Sequence, residues 1–133
     1  MAKQKLPPAT DWKERNIENW TTTTFKAYLV HLSEETFHLP YVPFKGGWAA
    51  EMKLLKLSIE EMGTQVLKEL IEEAYKGYKP SANYPSLSFG FIYSYMKPQL
   101  YPRILKRKQE EEETRKREEN KIIKSKEELK KFF

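Results

Sequence analysis

From Arg103 to Lys131 the chain carries twelve basic and eight acidic side chains, and a segment so charged cannot serve as hydrophobic core. Twelve minus eight is +4 of the chain's formal net charge of +5, so the rest of the chain is close to neutral. Glu, Lys and Arg are good helix formers, and no glycine or proline interrupts the run. It is therefore expected as a long helix with little apolar face. Glu110, Glu111 and Glu112 stand four residues from Lys106, Arg107 and Lys108, and Glu113 four from Arg117, a spacing that allows salt bridges along the helix. Ile122, Ile123, Leu129, Phe132 and Phe133 are too few for a sustained heptad, which leaves three alternatives: docking on a second copy of the chain as a homodimer, docking on the core, or fraying into solvent.

The core must then come from the preceding residues, where most of the 3 Trp, 8 Tyr and 7 Phe lie. Residues 1–10, with Pro7-Pro8, read as a flexible leader. Thr21 to Thr24 offer an N-cap for a helix whose stripe is Phe25, Tyr28, Leu29 and Leu32, ended by Pro40 and Pro43. After Gly46-Gly47, Trp48, Met52, Leu55, Ile59 and Met62 recur at spacings of four and three, up to Gly63. Leu67, Leu70, Ile71, Ala74 and Tyr78 then mark another helix, with Glu69, Glu72 and Glu73 on its outer face. Ser86 to Met96 alternates as a strand would, but no second strand exists to satisfy its backbone, so a helix is expected. Pro98 and Pro102 are expected to separate it from the charged helix. The predicted architecture is all-α: a bundle of four or five helices over 11–101, and a charged C-terminal helix over 102–133.

Several chemistries are excluded. With no cysteine, disulfides, thiolate metal sites and a cysteine nucleophile are impossible. No apolar run is long enough to span a bilayer and no signal-peptide core follows the start, so a cytoplasmic protein without membrane contact is expected. No phosphate-cradling glycine loop and no serine elbow occur. His31, Glu35 and His38 share a helix face, but the order is not that of a zinc helix and Pro40 follows closely. Asp11 with Glu51 and Lys53 imitates a metal-dependent nuclease by letter, yet two residues apart on a helix point about 200° from each other. No catalytic residue, metal or cofactor is therefore expected.

What remains is binding. Arg103, Lys106, Arg107 and Lys108 form one basic cluster, and Arg115, Lys116 and Arg117 another beyond the four glutamates. Lys76, Lys79 and Lys97 interleave with tyrosines, and such surfaces hold phosphates while rings stack on bases. Tyr78, Tyr84 and Tyr101 are the stacking or interface candidates, whereas Tyr93 and Tyr95 are expected to pack. Two functions fit these features. One is a non-catalytic DNA-associated accessory protein, a replication or regulatory factor. The other is an adaptor that docks a protein partner through the charged helix and exposed aromatics.

Overall fold

The structure, a computed structural model, describes residues 6–131. The expectations for the first five residues and for Phe132 and Phe133 lie outside the described residues. The chain divides into two units, residues up to Leu100 and residues from Tyr101 on.

The fold is all-α, but among the described residues it contains three long helices rather than four or five, besides a short 3-10 turn at Ile17–Asn19. The first, α1, spans Thr22–Phe37. Thr21 caps it reciprocally with Thr24, and His38 ends it in a left-handed conformation (φ 57°). The second, α2, spans Gly47–Gly77 and is broken at Gly63, whose φ of 81° and ψ of 164° suit only glycine. The third, α3, opens with a turn at Phe89–Phe91, widens into a π-helical stretch at Ile92–Met96, and continues over Lys97–Lys131.

The expected breaks at Pro98 and Pro102 are the main correction. A proline inside a helix presses its ring on the carbonyl four residues back and removes one hydrogen bond. Here the π-helical stretch directly precedes Pro98, with the Lys97 N–H donating to the Ile92 carbonyl. That wider turn gives the ring room, and the helix continues. Pro102 lies inside it.

In the first unit, Phe25, Leu29, Leu55, Leu67, Leu70, Ile71, Phe89 and Ile92 have no exposed surface. Each such burial contributes roughly 1.5–3 kcal/mol before entropy is counted. Trp20 covers one end of this core, with ring contacts to Phe25 at 5.0 Å and Tyr28 at 5.2 Å. Glu72 does not face outward as expected. It accepts from the Tyr28 hydroxyl at 2.9 Å, which fixes α2 to α1.

The first arm of α2 also departs from the sequence pattern. Trp48, Met52, Ile59 and Met62 are only half-buried, and the buried line is Glu51, Leu55 and Ser58. In the second unit, every residue from Gln109 to Lys131 is exposed. The charged segment is thus a solvated helix, as its composition dictates.

Among the glycines, Gly90 is the most closely approached: a β-carbon there would lie 2.5 Å from Phe44 Cβ. Gly90→Ala gains at most about 1 kcal/mol of helix propensity and loses roughly 1–3 kcal/mol to overpacking. A net loss of about 1–2 kcal/mol in unfolding free energy is expected by urea titration.

Candidate functional site

The first unit's site is built around Glu51, which is fully buried. Its Oε1 accepts from the backbone N–H of Phe44 at 2.9 Å and of Gly90 at 3.0 Å. Its Oε2 accepts from the Tyr41 hydroxyl at 2.5 Å. Tyr41 Oη in turn accepts from the Phe89 N–H at 2.7 Å, and Ser88 Oγ accepts from the Phe91 N–H at 3.3 Å. The first three amides of α3, which a helix cannot satisfy by itself, therefore all have partners. Burial, then the charge and hydrogen bond of Glu51, pushes the Tyr41 phenol well above its ordinary value. Tyr75 shifts the same way, through burial and then the Glu51 charge, while its hydroxyl donates to the Leu87 carbonyl at 2.9 Å.

This network sets the connection after α1 against the start of α3, and a groove of about 600 Å³ opens beside it. Phe44, Tyr78 and Phe91 line it together with Tyr84 and Tyr95. The rings form a chain: Phe37 to Tyr78 at 5.8 Å, Tyr78 to Phe91 at 5.9 Å, and Phe91 to Tyr95 at 5.0 Å. Tyr84 and Tyr95 stay 65% and 62% exposed, so their rings are open to a ligand. Residues Ser81 and Tyr84 exchange backbone hydrogen bonds at 3.1 and 3.2 Å, and the Tyr78 hydroxyl donates to the Tyr84 carbonyl at 2.6 Å. The loop that carries Tyr84 is thereby fixed.

The structure sorts the sequence-predicted residues. Tyr78 and Tyr84 come together in the groove, joined by Tyr95, which lies open rather than packed. Lys76 and Lys79 are exposed in the first unit, beside Tyr78 in sequence, but do not line the groove. Lys97 is committed: its ammonium lies 2.8 Å from Glu61 and 4.4 Å over the Tyr93 ring. In the second unit, Tyr101 is half-buried, and Arg103, Lys106 and Arg107 are exposed. By helical geometry these three cations share a face with Arg117, Lys121 and Lys124, an arc of about 100°. Lys108, Arg115 and Lys116 point to the other side. Arg115 lies 2.5 Å from Glu112, which holds the guanidinium pKa above its ordinary value.

The sequence reading missed Lys45, which lines the groove, and the structural carboxylate of Glu51. The only sequence sign of Glu51 is a charge adjacent to an apolar stripe, which most helices also show. His31 pairs with Glu35 at 2.5 Å and packs on Trp12 at 4.6 Å, while His38 is the α1 cap. Among the described residues, no group of three or more His, Cys, Asp or Glu could hold a metal ion. No helix among them is long and apolar enough to cross a membrane. Comparison of the chain with protein-family models, curated proteins and solved structures finds no match in any of the three.

Two outcomes follow from these contacts. Because the folded state holds Tyr41 and Tyr75 protonated, their contribution is complete below the unfolded tyrosine pKa of about 10. Above it the unfolded chain loses protons first, so stability falls by up to about 1.4 kcal/mol per pH unit per tyrosine. Urea midpoints between about pH 8 and about pH 11 should decline, and Tyr41→Phe should flatten that decline. Lys97→Ala, which removes the Glu61 pair and the Tyr93 contact, should cost about 1 kcal/mol in the same assay.

Proposed function

We propose that the protein is a non-catalytic, DNA-associated accessory factor of the cytoplasm, acting in replication or regulation. The observation that carries this reading is the face of α3 that bears Arg103, Lys106, Arg107, Arg117, Lys121 and Lys124, all exposed. From Arg103 to Lys124 that face extends over about 32 Å of helix, comparable to one turn of B-DNA. Between those two residues it is interrupted by one carboxylate, Glu110. Such a line of cations contacts successive phosphates and releases their counterions. Lys97, Lys108 and Arg115 do not belong to it: the first is held by Glu61, the third by Glu112, and Lys108 lies on the opposite side.

The mixed signs of the opposite side favour a second reading. Glu112, Arg115, Lys116 and Glu119 place both signs side by side there, which suits orientation of a protein partner. In that case the protein is an adaptor, and it has no affinity for polyanions.

Fluorescence anisotropy with labelled duplex DNA at low and physiological salt separates the two. Binding should weaken steeply with salt. Replacing Arg103, Lys106 and Arg107 together by alanine should lower the slope of log affinity against log salt by roughly three, about one per lost contact. Absence of duplex binding at low salt overturns the DNA reading.

A further inference from the structure

We propose that the aromatic groove of the first unit takes an unpaired nucleobase, with Lys45 on the adjoining phosphate; the DNA context, though not the groove's own chemistry, rests on the reading above. The groove's volume of about 600 Å³ falls in the range of small-ligand sites and accommodates a base with its sugar. Tyr84 and Tyr95 present exposed rings, and every base has a face that can stack on them. Phe44 and Phe91 supply apolar wall behind them.

The polar groups are also those a base edge needs. Asn83 brings an amide, donor and acceptor together, and Ser88 Oγ, which accepts from the Phe91 N–H, carries a hydroxyl donor. Charge decides between occupants. Among the described residues that line the groove, Lys45 alone is charged, and no carboxylate faces a bound anion. An apolar peptide anchor would use the rings and leave Lys45 without a role. A nucleotide uses the rings, the amide and the ammonium at once. Because the Tyr84 loop is fixed by its own hydrogen bonds, little ordering is required on binding.

The test uses the full chain and two kinds of probe. Thymidine monophosphate, titrated while the tyrosine ring resonances are followed by NMR, reads the groove alone. It should shift Tyr84 and Tyr95, and Lys45→Ala should weaken that response. Labelled oligothymidylate and duplex DNA then read the groove against α3. Tyr84→Ala and Tyr95→Ala, both at exposed rings, should each weaken single-strand binding roughly tenfold and leave duplex binding unchanged. If the mononucleotide shifts neither tyrosine and both variants bind single strands normally, the base site is overturned while duplex binding still stands. If the mononucleotide shifts both tyrosines but duplex DNA is not bound, the base site stands and the phosphate reading of α3 falls. Saturation of the groove by an apolar peptide, with no response to the nucleotide, overturns the proposal in favour of a protein partner.

Discussion

Glu51 has no exposed surface, yet among the described residues no basic side chain pairs with it; its hydrogen-bond partners are two backbone amides and a phenol. Burying an ionised group without such donors costs far more than one domain can tolerate. Here the donors come from the connection after α1 and from the opening turn of α3, whose amides form the positive end of a helix dipole. The arrangement is reciprocal. The buried carboxylate needs donors for its oxygens, and Phe44 and Gly90 need an acceptor because neither amide has a helical partner there. Three parts of the first unit, separated by 7 and 39 residues in sequence, are thereby held to one pair of oxygens.

The groove is a consequence of that anchor. Drawing Phe44 toward the start of α3 brings it against residue 90, where only glycine fits. Tyr41 is fixed by the same carboxylate and stacks on Trp48 at 4.7 Å, which closes the connection on its other side. With Phe44 and Phe91 so placed, the loop of 78–88 folds over one edge and leaves aromatic surface between. Such an opening is costly in a unit of this size unless the rings that border it are packed from behind. Phe37 does this for Tyr78, and Phe91 for Tyr95.

The helical class, the Thr21 cap, the buried stripe of Leu67, Leu70, Ile71 and Ala74 and the solvated character of the C-terminal helix were all legible in local pattern. They depend on near neighbours, and periodicity reports near neighbours. The number of helices was not legible. Proline is read as a breaker because its clash is local, but whether the helix can widen ahead of it depends on packing around residues 92–96. Glu51 was invisible for a related reason: its partners lie in other segments, and a glutamate beside an apolar stripe looks like any surface charge. In the candidate site, Tyr78 and Tyr84 could be picked out as exposed rings near lysines. Lys45 and Tyr95 could not, since only the fold brings residues 42–45 beside residue 95.

The tyrosines show how one residue type divides between holding the fold and facing a ligand. Tyr28, Tyr41, Tyr75 and Tyr78 each donate the hydroxyl to an acceptor within the first unit: Glu72, Glu51, the Leu87 carbonyl and the Tyr84 carbonyl. A phenol so committed cannot also donate to a phosphate without breaking a contact that positions a helix or a loop. Tyrosine-rich sequence near lysines therefore overstates the area available for nucleic acid. Lys97 repeats the point, since its charge neutralises Glu61. In the first unit, two open rings, an amide and Lys45 meet around one groove, with Lys76 and Lys79 exposed outside it. Stacking on a ring requires no hydroxyl, so the phenols that hold the fold are separate from the open rings of Tyr84 and Tyr95, whereas Ser88 both caps α3 and lines the groove.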